Sequence, residues 1–371
     1  MVKKIQWLEE CIFQLENYPN KKIILIGGPS SVGKTYKCGE LKKYLESKNF
    51  KCLVVSLDNF YKPISKRFAN FVVERFADLK PRYEEIYHII ADITKQVAFD
   101  DKFSEQNKLL LIDKLKQITT EKKSIQILNQ LISYHQSINF DVPDAIDFDE
   151  IKNQINSKKF VSIPNYSFKT SERIDFEKFD KNDYDYILFE GIFALDDRIV
   201  KNINNDNVIK ISFKCDLLSM LSRRLYRDIM QGRRTRSPKE TFEAYFEQVM
   251  PSYSKYIEPT LNNADAIINS SLTDEEILLK DNTETDNNYC YNYKITAKHC
   301  NNIELFISIK NEEPIVLTFK YKINNKFLYE NYDLKNLLQQ KDSTKLINYF
   351  KNNQFIVFYT KEQTNGNIKT L

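Results

Sequence analysis

The stretch Lys21 to Thr35, KKIILIGGPSSVGKT, constrains this chain more than any other. An apolar run, Ile23 to Ile26, reads as a buried strand. A loop follows with Gly27, Gly28 and Gly33, and Lys34 and Thr35 open a helix. Gly28 to Thr35 fits G-x-x-x-x-G-K-[ST], the pattern of a phosphate-binding loop between strand and helix. Such a loop curls so that successive N–H groups converge on phosphate oxygens, where a helix N-terminus adds partial positive charge. Gly28, Pro29, Ser30, Ser31, Val32, Gly33, Lys34 and Thr35 are therefore predicted to cradle a nucleoside triphosphate. Lys34 would reach the β- and γ-phosphates, and the Thr35 hydroxyl would sit on Mg²⁺. The chain has only seven glycines, so three in one loop carry information.

The flanks extend this unit into a sheet. Residues 3 to 17 place Ile5, Leu8, Ile12 and Leu15 on one helical face. A helix from Thr35 to about Lys48 leads into Lys51 to Leu57, a second buried strand. The resulting βαβ unit predicts a parallel sheet. Asp58 stands at the C-terminal edge of that strand, where doubly wound sheets place their chemistry. It could take a proton from an attacking hydroxyl, hold Mg²⁺, or merely cap the next turn.

Residues 63 to 138 read as an inserted helical subdomain, with apolar positions at helical spacing over 71–76, 83–93, 109–118 and 125–138. It shows no catalytic constellation. His88 and His135 are expected to be packed or exposed. Beyond it, 139–147 forms an acidic turn leading into a helix. A short strand over 161–166 precedes a polar loop ending at Arg173. Tyr184 to Glu190 is a further buried strand whose closing carboxylate has the character of a second phosphate-site acid. Val208 to Phe213 and Ala264 to Asn269 complete the sheet. Between them six arginines fall within positions 223–236. A solvated face or a nucleic-acid patch would look similar, but a short arginine run suits a lid that clamps polyphosphate.

Bulk properties narrow the class. A net charge of +4 from well-mixed Lys and Asp/Glu gives no strong case for nucleic acid. Six cysteines without a CxxC pair fit reduced thiols and a cytoplasmic setting. His299 beside Cys300 lacks a second ligand pair and is read as incidental. No apolar run reaches membrane-spanning length, and no signal-peptide core is evident.

In order along the chain, GGPSSVGKT (27–35), SLDNFYK (56–62), NFDVPDAID (139–147), IPNY (163–166), ILFEGI (187–192), RRLYRD (223–228) and ADAIIN (264–269) resemble the uridine kinase family, within the wider group of phosphoribulokinases and uridine kinases. The resemblance covers roughly residues 20 to 273, interrupted by the helical insertion. It implies a P-loop kinase moving the γ-phosphoryl of ATP or GTP onto the 5′-hydroxyl of uridine or cytidine, with Mg²⁺ as cofactor and pyrimidine salvage as role. By position, Asp58 matches the catalytic base. Thr35 and Glu190, with Asp58, match the Mg²⁺ site. Asp141 and Arg224 match ribose contacts. Tyr61, Tyr166, Arg173 and Arg227 match the nucleoside pocket and its acceptor loop, and Arg233 falls near an arginine covering the ATP phosphates. Two positions depart from the family: Val142 replaces the His that follows NFD, and Ser171 replaces a base-contacting His. A kinase of another hydroxyl acceptor, such as pantothenate or ribulose 5-phosphate, and an ATP-binding regulatory module are the alternatives.

The expected architecture is an α/β doubly wound parallel sheet over residues 1–273. It carries the helical insertion (63–138) and a lid at about 217–250. A polar linker at 274–288 leads to a small α+β domain at 289–371. In that domain strands are expected over 289–295, 303–309, 315–323 and 355–359, with a helix near 337–350. The domain lacks an alternating Glu-x-Glu-x-Lys signature, so packing or oligomerisation is its expected role. A homo-oligomer with a small-molecule partner, and no nucleic acid or membrane, completes the expectation.

Overall fold

The computed structural model describes residues 6–17, 22–215, 220, 223–224, 227–228, 244–270, 303–308, 316–323 and 326–333. Helix α1 (Gln6–Asn17) precedes strand β1 (Ile23–Gly27), helix α2 (Lys34–Ser47) and strand β2 (Cys52–Ser56). The insertion follows as α3 (Ile64–Arg75), α4 (Tyr83–Thr94), α5 (Glu105–Leu115) and α6 (Glu121–Ser137). Then come α7 (Phe148–Asn156), the strands β3 (Phe160–Ser167) and β4 (Glu172–Asp180), and strands β5 (Tyr186–Glu190), β6 (Val208–Lys214) and β7 (Ala266–Asn269).

Five strands form one sheet in the order β2-β5-β1-β6-β7, and every neighbouring pair is parallel. The fold is α/β with a doubly wound parallel sheet, as the alternating strand and helix patterns predict. β1 lies at its centre, and Ile24, Leu25 and Ile26 are buried because both faces are covered. The sequence pairs β1 with β2 as one βαβ unit; in the structure β5 sits between them, with Ile24 opposite Leu188 and Val54 opposite Leu188 on the other side. β5 carries ILF at its centre, and Ile187, Leu188 and Phe189 are all buried, so it takes a fully covered inner position.

The insertion has a core of its own, built from Ile64, Phe68, Val72, Ile86, Ile90, Leu115, Ile127 and Leu131. Phe140 packs against both this cluster and the main core. Helices α3 to α6 start up to seven residues earlier than their apolar spacing alone suggests, because their first turns carry charged or small residues. The polar loop expected between residue 166 and Arg173 is the turn of a hairpin, at 168–171; β4, which follows it, had no expected counterpart and pairs antiparallel with β3 along its full length, with an irregularity at Asn165/Tyr166. Ile174 and Phe176 of β4 point outward, at 68% and 55% exposure, so the strand buries little and its alternation lacks a core signal.

A separate antiparallel sheet joins β8 (Ile303–Ser308), β9 (Val316–Ile323) and β10 (Lys326–Asp333) in the order β10-β9-β8. β8 and β9 match the expected strands within a residue, and β10 had no counterpart. The expected strands 289–295 and 355–359, the helix at 337–350 and the linker lie outside the described residues. No helix of the described residues is long and apolar enough to cross a membrane. Cys11 and Cys38 are buried thiols, and burial pushes Cys11 up to about 12.

Candidate active site

The loop between β1 and α2 has the backbone that its glycines predict. Gly28 has φ +142° and Gly33 φ +89°, both in territory that L side chains rarely adopt. A Cβ on Gly28 would stand 2.3 Å from the carbonyl oxygen of Phe213 on β6, so the loop is pressed against the sheet. Ser31 also takes a left-handed φ of 65°, and its buried hydroxyl has no partner among the described residues. Strain and an orphaned donor in one loop are characteristic of a site that a ligand completes.

Lys34 lies in the first turn of α2, 7% exposed, and its Nζ donates to the carbonyls of Gly28 at 2.9 Å and Pro29 at 2.8 Å. The ammonium thus spans the loop's mouth. Burial pulls its pKa down, and the carboxylates of Glu190, Asp58 and Asp141 push the other way. Charges on α2's flanks, at the ends of β2 and β5 and in the 139–147 turn thus act on one cation.

Thr35 Oγ donates to Glu190 Oε1 at 3.1 Å, and Ser56 Oγ donates to the same oxygen at 2.9 Å. Glu190 is 3% exposed. Burial and the nearby Asp58 raise its pKa, and Lys34 and the two hydroxyls counter them. Three hard oxygen donors converging near a lysine suit Mg²⁺, which takes one or two carboxylates and otherwise water and phosphate. Among the described residues no cluster of three His, Cys, Asp or Glu side chains is placed to hold a metal.

Asp58 follows β2 in a single 3₁₀ turn, Leu57–Phe60. The turn is capped by Ser56, whose Oγ accepts from the Asp58 N–H at 3.4 Å. Capping is thus done by Ser56, and the Asp58 charge acts on both Glu190 and Lys34. The sequence reading does not single out Ser56, yet its hydroxyl joins the Glu190 carboxylate to the Asp58 backbone N–H; its place inside SLDNFYK is the available signal.

The acceptor side is aromatic. Tyr61 is 5.8 Å from Phe140 and 5.7 Å from Tyr166 between ring centroids. Asp141 follows Phe140, with its N–H donating to Asn139 Oδ1 at 2.8 Å. Val142 packs at the edge of the main core. Ser171 is buried at φ 54°, directly before β4. Arg173 is occupied otherwise than expected: its Nε donates to Tyr61 O at 3.1 Å, and its Nη2 to Phe60 O at 3.0 Å and Asp147 Oδ2 at 3.2 Å. It laces the Asp58 turn to the acceptor loop, so it positions the wall.

Arg224 and Arg227 lie near the phosphate loop and pair with one buried acid. Arg224 Nη1 donates to Ser30 Oγ at 3.3 Å, and its Nε stands 3.4 Å from Asp228. Arg227 Nε donates to Asp228 Oδ1 at 2.7 Å. Arg223 Nη1 reaches Val32 O at 3.4 Å and Ser270 Oγ at 3.3 Å. The arginine run thus reaches the phosphate loop at Ser30 and Val32. Arg233 lies outside the described residues.

A parallel sheet with a strained glycine loop, a buried lysine and two acids at the adjacent strand ends defines a P-loop kinase. The sequence model of the "Phosphoribulokinase / Uridine kinase family" matches residues 92–276, and over that stretch the chain is similar to that family. It is 28% identical over 249 residues to "Uridine-cytidine kinase B" of Dictyostelium discoideum, spanning 66% of this chain and 73% of that protein. It is 35% identical over 144 residues to "Uridine kinase-like protein 5" of Arabidopsis thaliana, spanning 38% of this chain and 29% of that protein. Against the "Uridine kinase" of Ureaplasma urealyticum it is 29% identical over 134 residues, spanning 35% of this chain and 62% of that one. The chain thus spans under two thirds of the length of two of these three relatives. Among solved structures, a phosphoribulokinase from Rhodobacter spheroides superposes with a TM-score of 0.42 at 10% identity, covering 82% of this chain and 81% of that one.

Proposed function

We propose that this chain transfers the γ-phosphoryl of ATP, or GTP, to the 5′-hydroxyl of uridine or cytidine, as in pyrimidine salvage. The observation that carries the proposal is the buried Glu190 at the end of β5, which accepts from Thr35 Oγ of the phosphate-loop helix and from Ser56 Oγ at the end of β2. It joins the phosphate loop to the strand ends on either side of it. The names borne by the relatives in Dictyostelium, Arabidopsis and Ureaplasma supply the nucleoside.

The residues divide the work as phosphoryl transfer requires, by positioning and charge neutralisation. Lys34 neutralises charge on the β- and γ-phosphates. Thr35, Ser56 and Glu190 would hold Mg²⁺, which, when bound, screens the phosphate oxygens. Asp58 accepts the proton of the acceptor hydroxyl as its oxygen bonds to the γ-phosphorus and the bond to ADP breaks. Asp141 lies where it can hold the sugar hydroxyls, and Tyr61, Phe140 and Tyr166 wall the base.

The test is ADP release from Mg·ATP against uridine, cytidine, purine nucleosides, pantothenate and ribulose 5-phosphate. Turnover confined to uridine and cytidine is expected. Turnover with another acceptor alone would keep the kinase chemistry and overturn the nucleoside assignment.

A further inference from the structure

The insertion is bolted to the acceptor loop rather than appended to the kinase. Ile64 N donates to Ser171 O at 2.9 Å, and Phe99 N donates to Lys169 O at 2.8 Å. Glu172, 2% exposed, accepts from both Ser65 N and Ser65 Oγ at 2.9 Å. These contacts fix the first turn of α3 against the turn between β3 and β4. One step along that turn stands Arg67.

Arg67 faces the aromatic wall. Its guanidinium lies over the Phe140 ring, 5.5 Å from the centroid, and its Nη2 donates to Asn139 O at a long 3.5 Å. Its Nη1 is buried with no hydrogen-bond partner among the described residues. The Tyr166 hydroxyl is buried in the same condition, beside Ser171 but without a hydrogen bond of full geometry. Arg67 stands close enough for its charge to act on that phenol. Two buried polar atoms without a hydrogen-bond partner, one a cationic donor, thus flank the Phe140–Tyr61–Tyr166 ring cluster. Buried donors are left unpaired at a real energetic cost unless a ligand meets them.

We infer that Arg67, supplied by the helical insertion, donates to a carbonyl oxygen of the pyrimidine base and sets specificity for it, with Tyr166 beside it. This rests on the nucleoside assignment above. Ser171, small and buried, stands beside the Tyr166 hydroxyl. The insertion thereby supplies the donor that the β3–β4 turn lacks.

The experiment measures KM and kcat for uridine and for Mg·ATP in the wild type and in Arg67→Ala, Arg67→Met and Arg67→Lys. The alanine variant should raise the uridine KM by ~10–100-fold, the scale of a lost charge-assisted hydrogen bond, with kcat and the ATP KM within about twofold. Arg67→Lys should recover part of the loss. Arg67→Met keeps the stem over Phe140 and decides the question if the alanine variant does not fold. An unchanged uridine KM in Arg67→Met, with an active wild type, overturns the role of Arg67 and leaves the nucleoside assignment standing. A wild type silent with every nucleoside overturns both.

Discussion

Glu172→Ala offers a test of how the insertion and the kinase depend on each other. The wild-type carboxylate receives two hydrogen bonds from Ser65, a residue that is fully buried. Bonds to a charged acceptor contribute about 1.5–3 kcal/mol each, and the orphaned N–H and hydroxyl would be stranded away from water. Part of that is returned, because burial already disfavours the Glu172 carboxylate and raises its pKa. The net loss comes to about 2–4 kcal/mol. At ~2–4 °C per kcal/mol for a domain of this size, the thermal midpoint should fall by roughly 5–15 °C. Kinetically, the acceptor KM should rise as α3 loosens, whereas Mg·ATP affinity should hold, since Lys34 and Glu190 are untouched. Calorimetry and steady-state kinetics read both effects. A midpoint within about 1 °C of wild type, with an unchanged acceptor KM, would refute the clamp. The pH dependence supplies an internal check. A carboxyl whose folded pKa is raised binds more protons folded than unfolded, so its contribution is present at low pH and fades as pH rises through the folded value. The wild-type advantage over Glu172→Gln should therefore shrink from acid toward neutral pH.

Three further outcomes follow from the site and its surroundings. Asp58→Asn should leave ATP binding intact and lower turnover by ~100-fold or more, measured by nucleotide titration beside ADP release; retained turnover would remove Asp58 as the base. Gly28→Ala should impair ATP binding and stability together, because its Cβ would lie 2.3 Å from the Phe213 carbonyl at a φ of +142°; near-normal ATP affinity would show that the loop is not pressed on β6. Burial lowers Lys102 to about 8, and a base depressed in the folded state gains relative stability as pH rises from there toward 10.5. Urea unfolding should show the stability of wild type rising relative to Lys102→Met between pH 8 and pH 10, and a constant difference would contradict the burial of Lys102.

Strand positions and the phosphate loop were legible because their signals are local. Ile23 to Ile26, Leu53 to Val55 and Ile187 to Phe189 are apolar runs, and Gly28 and Gly33 sit where the backbone demands them. Lys34, Thr35, Asp58 and Glu190 then follow from adjacency to strand ends. What the chain does not announce is set by partners far away in sequence. β5 lies between β1 and β2, a choice made by side-chain packing across the sheet. β4 was hidden because Ile174 and Phe176 face outward. Arg173 looks like a ligand contact in sequence and is instead consumed by the carbonyls of Phe60 and Tyr61. Arg67 carries no motif at all; only the docking of α3 on Ser171 and Glu172 gives it a place.

The sheet order has a consequence for how the chain reaches its native state. Ser56 and Glu190 share a hydrogen bond although 134 residues separate them. β1 and β2 therefore leave the ribosome with an unfilled gap between them, and the helices α3 to α6 are complete before β5 is made. Those helices, rich in local contacts and with their own core, can form early and fast, whereas the parallel strands must wait for a long-range closure. The Glu190 side of the site thus cannot assemble until β5 slots between two strands already waiting for it. A chain stopped before residue 186 would hold a formed helical subdomain beside two mutually unpaired apolar strands, a species prone to aggregate until the missing strand arrives.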